Sequence, residues 1–316
     1  MSLGSYIVRR FGGLLLVLLV TSFLVFGLLY LAPGSPLAYI LGPRGGSPAQ
    51  VAAAIREYHL NDPFFLRYFT WISDVLHGNL GFSIVYRMPV STLIGSRLGT
   101  TVALVAMSAV IIAIVGIVFG TLAALRGGWS DQLISSLAAI GLSTPVFVIG
   151  VALISLFAVN LGWFPTFGVG SGGVDTMWHL TLPAIALSVA SAAYLVRITK
   201  AAVGEEQVRE HVQTATVRGL SSGVITRRHV LRNALIPITT VMGLTIATLI
   251  AGAVVVENVF ALDGIGSLLV KAILQRDFAV VQACVLVLVV AFVVINAIVD
   301  VLYTFIDPRI SLGSKK

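Results

Sequence analysis

The sequence predicts an all-α, polytopic membrane protein with six transmembrane helices and both termini in the cytoplasm. Three observations lead there. First, 58% of the 316 residues are hydrophobic and only 10% are charged, whereas a soluble domain carries about 25% charged residues. Second, six runs hold no Asp, Glu, Lys or Arg, at 11–31, 102–125, 132–163, 176–196, 233–256 and 278–299. Each has at least 21 residues, and about 20 apolar residues of helix span a hydrocarbon core. Third, the basic residues are unevenly divided between the two sets of flanks. One set holds Arg9, Arg10, Arg126, seven residues from Arg197 to Arg232, and Arg309, Lys315 and Lys316, 13 in all; the other holds seven, five of them in the long segment 32–101. Short basic flanks stay in the cytoplasm while long segments cross with little regard to charge.

The first run follows Arg9-Arg10 and contains 15 Leu, Ile, Val or Phe. At about −0.3 to −0.6 kcal/mol each, these favour insertion by several kcal/mol. Its apolar core exceeds that of a signal peptide, and PGSP at its outer end lacks a small-x-small cleavage site, so it reads as a retained helix. In the outer segment, Ser47-Pro48 opens AQVAAAIREYHL, a helix start with proline at its first position. FFLRYFTWISDVL follows, where Phe65, Tyr68, Phe69, Ile72, Val75 and Leu76 recur at helical spacing. That face suits the membrane interface, or a packing layer over the outer mouth.

The third run is 32 residues long and Pro145 interrupts it. Proline cannot donate the backbone bond, so Ser143-Thr144-Pro145 predicts a kink, with the two hydroxyls placed to satisfy the freed carbonyl. The bend is either structural or a lining of the pathway. Glu257-Asn258, at the outer end of the fifth run, either lines the mouth and meets a cargo amine or packs beside the outer loop. Asp300, near the inner end of the sixth, reads as a structural ion-pair partner. The chain divides into 1–101, a first helix with its outer segment; 102–306, a five-helix core with a cytoplasmic loop at 200–236; and 307–316, a cytoplasmic tail.

Several chemistries are excluded. Gly219-Leu220-Ser221-Ser222-Gly223 fits G-x-S-x-G, but no strand precedes it. His59, His77, His179, His211 and His229 fall on both sides of the membrane, so no metal site forms. No G-x-x-x-x-G-K-[ST] occurs, so this chain binds no cofactor, and any ATP and Mg sit on a partner subunit. The net charge of +7 lies in patches between apolar walls, which argues against nucleic acid. Cys284 is the single cysteine, so no disulfide forms within the chain. An ion-coupled carrier is the rival class, but the runs contain no acid to carry the coupling and the chain shows no sustained repeat of inverted halves.

Between the fourth and fifth runs, KAAVGEEQVREHVQTATVR gives way at Gly219 to VITRRHVLRNALIP. Glycine takes a backbone turn closed to other residues, so the segment predicts a helix–turn–helix on the inner face. A short helix held between two spans transmits a push from a soluble partner. Arg218, Arg227, Arg228 and Arg232 supply charge for docking or for anionic lipid.

In order along the chain come LAPGSP, LNDPFFLRYFTWISDVLHGNLGFSI, LSTPVFVIG, HLTLPAIALS, TATVRGLSSGVITRRHVLRNALIP, ENVFALDGIGSLLVKAILQRD and VDVLYTFIDPRI. With these, nearly the whole chain resembles the permease subunits of ATP-binding-cassette importers in the dipeptide, oligopeptide and nickel group. The resemblance implies a type I ABC importer permease fold. It implies pairing with a second homologous permease subunit, two ATP-binding subunits and an extracytoplasmic substrate-binding protein. Peptides are the implied cargo, with nickel chelates, glutathione, sugar oligomers and haem carried on the same scaffold. The family's coupling loop, Glu-Ala-Ala-x-x-x-Gly, matches at Gln213, Thr214, Ala215 and Gly219, with the Glu and first Ala replaced. The implied ATPase contact is Gln213, Thr214, Ala215, Arg218, Gly219 and Leu220.

Overall fold

The structure is a computed structural model that describes residues 3–31, 47–57 and 62–306. All of LAPGSP but Leu31, the tail 307–316 and His59 lie outside the described residues. Among the described residues the regular elements are helices and one short hairpin. Its elements are α1 (Leu3–Leu31), α2 (Pro48–Glu57), α3 (Phe64–Leu76), β1 (Phe82–Ser83), β2 (Met88–Pro89), α4 (Val90–Arg126) and α5 (Gly128–Ser143). There follow α6 (Val146–Asn160), α7 (Gly173–Gln207), α8 (Glu210–Val217), α9 (Ser222–Val259), α10 (Ile265–Gln275) and α11 (Phe278–Ile306). Among the described residues, α4, α7, α9 and α11 are long and apolar enough to cross a membrane, and α5 with α6 makes a fifth span if the bent pair is one. α1 carries the apolar stretch Gly12–Gly27. Two compact units form, one built on Thr100–Asp263, the other on Tyr6–Gly99 together with Gly264–Val293.

In the first unit α7 is the hub. Of its most apolar stretch, 61% is buried, against 33% for α9. Leu104, Ile112, Leu180, Leu195, Ile238 and Phe260 fill the core around it. Small residues set the approach of α4. A Cβ at Gly116 would lie 2.5 Å from Leu195 Cδ2, and one at Gly120 would lie 2.5 Å from Thr199 Cβ and 2.7 Å from the Val196 carbonyl. Between apolar helices in lipid, packing of this kind replaces the missing hydrophobic drive.

The third run breaks more sharply than the kink that its sequence predicts. α5 and α6 meet at 107°. Proline bars its predecessor from the helical region, and Thr144 is extended, at ψ 123°. Pro145 then opens α6. The hydroxyls do not serve the carbonyl of Gly141, whose donor the proline removes. Ser143 Oγ donates to the Ala139 carbonyl at 2.9 Å and Thr144 Oγ1 to that of Ile140 at 2.8 Å.

In the second unit, α3 packs on α1 through rings. Phe23 and Phe26 meet Phe64 and Tyr68 at centroid distances of 5.3–5.6 Å. The Tyr68 hydroxyl lies 2.8 Å from Ser22 Oγ. This polar anchor rotates α3 away from the face that periodicity predicts. Tyr68 is buried and Ile72 and Val75 half-buried, but Phe65, Phe69 and Leu76 are exposed. α2 does begin with Pro48. The β-hairpin pairs Phe82 with Pro89 and Ser83 with Met88. Ser83 Oγ donates to Asp277 Oδ2 at 2.5 Å, fastening the hairpin to the start of α11. Val90, Leu93, Ile265, Leu268, Val280 and Cys284 form the core of this unit, so the lone thiol is buried filler.

The glycine seam is testable by heat denaturation of the detergent-solubilised protein. Gly120→Val is expected to cost about 1–3 kcal/mol through overpacking. Gly99→Ala, in the same helix with nothing within 4 Å, is expected to leave the midpoint unchanged or raise it.

Candidate functional site

The segment between α7 and α9 forms the predicted helix–turn–helix. α7 continues past its apolar stretch to Gln207 without interruption. α8 then runs across for eight residues, and α9 starts at Ser222 and continues as one helix into the next span. A π-helical segment, Ile225–Leu231, lies within α9 before that span. The short helix is thus clamped between two long ones.

The turn after α8 is a Schellman closure. Gly219 N donates to the Thr216 carbonyl at 3.0 Å and Leu220 N to that of Ala215 at 3.3 Å. Gly219 sits at φ +74°, with nothing within 4 Å of a Cβ placed there. The glycine requirement therefore comes from the backbone, and the surrounding space is open. α8 has two sides. Val212 and Ala215 are buried, and Val212 joins the main core with Val203 and Val230. Gln213, Thr214, Arg218, Gly219 and Leu220 are exposed, as are Thr216 and Val217. Of the residues matched to the coupling loop, Ala215 turns inward and forms the seam. Val217, which motif matching passes over, is 88% exposed.

A polar clasp that the sequence reading missed closes the base of the hairpin. Glu206 on α7 accepts from Asn233 Nδ2 on α9 at 2.8 Å. His211 Nε2 lies 3.2 Å from the same carboxylate oxygen, and Arg209 Nε lies 3.5 Å from the other. Asn233 Nδ2 also donates to the His229 carbonyl at 3.2 Å. The signal was present in the sequence as His229 and Asn233 one helical turn apart, but nothing in the pattern named Glu206 as their partner. Higher on α7, Lys200 pairs with Asp131 of α5 and donates to Ser135 Oγ at 3.2 Å. The stem is thereby tied to the broken span as well.

The other predicted site residues do not gather into one place. Ser143 and Pro145 are exposed and Thr144 is half-buried at the α5–α6 break. Glu257 is fully buried. It accepts from Thr101 Oγ1 at 2.6 Å, which links α9 to α4. Its neighbour Asn258 is exposed, and its Nδ2 donates to the Val254 carbonyl at 2.7 Å. The two side chains therefore have different surroundings, Glu257 enclosed between helices and Asn258 on the surface. Asp300 falls in α11, but its side chain lies outside the described residues.

Residues 116–312 match the family model described as the binding-protein-dependent transport system inner membrane component, and residues 3–105 match its N-terminal companion. The chain is 40% identical over 313 residues to a probable peptide ABC transporter permease protein, y4tP, of Sinorhizobium fredii, covering 98% of this chain and 99% of that one. It is 38% identical over 308 residues to the glutathione transport system permease protein GsiC of Escherichia coli K12, covering 97% and 98%. Among solved structures it resembles an inward-facing MetNI methionine ABC transporter, with a TM-score of 0.57 and 18% identity over 68% of this chain and 96% of that one. It also resembles an amino acid ABC transporter crystallised with histidines, with a TM-score of 0.50 and 17% identity over 67% and 94%.

Asn233→Ala removes the donor to both Glu206 and the His229 carbonyl. Amide exchange across 210–220 is expected to accelerate by about tenfold, the equivalent of one lost hydrogen bond, and an unchanged rate rules out the clasp. Glu257→Gln retains an acceptor for Thr101, so transport is expected near the wild-type rate, whereas Glu257→Leu is expected to lower the unfolding midpoint.

Proposed function

The chain belongs to the binding-protein-dependent transport system inner membrane component family, and on that premise we propose that it forms half of the translocation pathway of an ATP-driven peptide importer. It is a multi-pass inner-membrane permease subunit that works with ATPase and substrate-binding partners. Beyond that, the proposal is an assembly of this chain with a second homologous permease, two ATP-binding subunits and one extracytoplasmic binding protein. ATP and Mg are bound by the partners, and this chain breaks no bond. Six spans, with both termini in the cytoplasm, accord with the uneven division of Lys and Arg. That orientation places the α7–α8–α9 hairpin on the ATPase side. Peptide cargo is supported by the names of the relatives, one a probable peptide permease and the other a glutathione permease.

One observation carries the coupling reading. α8 is fixed to its own chain along Val212 and Ala215 and leaves Val217 and Leu220 bare at the opposite end. Apolar side chains held outward on a rigid support mark a partner surface. In the proposal the ATPase grips residues 214–220 when ATP closes it. Because α7 and α9 run unbroken into the membrane, displacement of the hairpin tilts both spans. The cycle has direction because the two states differ in affinity for nucleotide and binding protein. The arginines at 218, 227, 228 and 232 steer the docking and face anionic headgroups at the rim.

Val217→Cys, paired with cysteines placed in the groove of the ATPase subunit, is expected to crosslink in the assembled importer. Failure to crosslink in any nucleotide state refutes the site. Gly219→Val places a β-branched residue at positive φ, and uptake is expected to fall at least tenfold while insertion and co-purification persist. Uptake at the wild-type rate removes Gly219 from the coupling site.

A further inference from the structure

A groove of about 380 Å³ lies between α7 and α9, walled by Ser191, Tyr194, Leu244, Thr245 and Thr248. Its size falls within the range of small-molecule sites, roughly 300–1,000 Å³. No Asp, Glu, Lys or Arg lines it. Thr245 sits at the middle of the uncharged run 233–256, while Ser191 and Tyr194 lie in the last six residues of the run 176–196, so the groove reaches from mid-run on α9 toward the α8 end of the apolar stretch of α7. Thr245 is 8% exposed and forms the floor, while Tyr194 and Leu244, at 46% and 59%, form the rim.

The hydroxyls are unevenly used. Thr245 Oγ1 donates to the Val241 carbonyl at 2.8 Å and Thr248 Oγ1 to that of Thr245 at 2.7 Å. Each oxygen keeps lone pairs for a further donor. Ser191 and Tyr194 have no hydrogen-bond partner among the described residues. Hydroxyls without a partner are costly wherever they meet lipid tails. A solute rich in amides satisfies them from both directions, since its carbonyls accept and its N–H groups donate.

We propose that this groove is the chain's wall of the transport path and takes the amide backbone of short peptides. The inference rests on the importer reading above and adds the residues and the chemistry. Four hydroxyls without a charge recognise the peptide repeat, which every cargo shares, and leave side chains undiscriminated.

The test uses the whole importer, with its ATPase and binding protein, in proteoliposomes. Cys284 is buried, and Cys284→Ser gives a background for Thr248→Cys. A charged, water-soluble methanethiosulfonate is applied with and without a thiol-free peptide pool, a cysteine-free tryptic casein digest supplemented with S-methylglutathione. Labelling that slows at least threefold when the pool and ATP are present supports the groove. Absence of labelling in every nucleotide state shows lipid or the second permease covering it and overturns the proposal. So does labelling that is indifferent to a pool the same vesicles import. Uptake measured in parallel separates the two failures: vesicles that import no part of the pool refute the peptide-importer reading itself. Tyr194→Phe and Thr245→Val, which remove hydroxyls at nearly constant volume, are expected to lower uptake per ATP by about threefold to tenfold while co-purification with the ATPase is retained. Unchanged uptake in both overturns the role of the hydroxyls.

Discussion

Backbone hydrogen bonding in hydrocarbon is the constraint on which the rest of this structure depends. With no water to satisfy an N–H or a carbonyl, the chain must cross as helix, and a helix that crosses is also a rod. α7 and α9 do not stop where their apolar runs stop. α7 runs from Gly173 to Gln207 and α9 from Ser222 to Val259, so the short helix α8 lies between two long helices that lead into spans. Along these helices the features that permit bending are Pro183 in α7, and the π-helical segment 225–231 and Pro237 in α9. Among the described residues, the sharp break between two apolar helices is at Thr144-Pro145, where the proline cannot continue the ladder.

Rods transmit only if they are held. Three kinds of contact hold these, each with its own physics. Close glycine packing seats α4 on α7 through Gly116 and Gly120. An ion pair and a hydroxyl join Lys200 of α7 to Asp131 and Ser135 of α5. The carboxylate of Glu206, with Asn233 and His211, binds the feet of the hairpin together. Apolar packing in lipid is non-directional and gives no register, so the polar contacts at the ends fix the register of the helices. They lie where water is available to both partners when they separate, which keeps their rearrangement cheap.

How much of this is legible in the sequence depends on what each residue is contrasted with. The uncharged runs, the glycine turn at 219 and the proline break at 145 are readable because charge, positive φ and a missing donor have no substitutes. The packed face of α3 is not. Its thirteen residues carry apolar side chains on more than one side, Phe65, Leu66 and Phe69 exposed as well as Tyr68 buried, so spacing alone does not select the packed one. Tyr68 decided the rotation because its hydroxyl needed Ser22, a partner 46 residues away. Glu257 is a related case. An acid near a span end suggests a hydrated mouth, and only the fold reveals Thr101 beside it. Ala215 matched the coupling loop by position, yet its burial shows that an inward residue can belong to such a pattern as support.

The distribution of charge sets where the driving energy enters. The apolar runs of this chain offer no ionised group to bind a cargo or a nucleotide, and a neutral wall cannot favour one conformation by much. Moving a two-state equilibrium from 1:99 to 99:1 takes about 5.5 kcal/mol of differential binding. Burying a Val or Leu side chain provides about 1.5–3 kcal/mol. Val217 and Leu220, exposed at the tip of α8, therefore bring a partner surface within reach of that figure, and nearby arginines extend it. The hairpin is small, but it is the part of the chain where a partner's change of shape has enough to hold. On the proposed coupling, a membrane interior kept neutral for permissive passage requires that the work be done outside it, and the continuity of α7 and α9 with α8 is the route proposed for carrying that work inward.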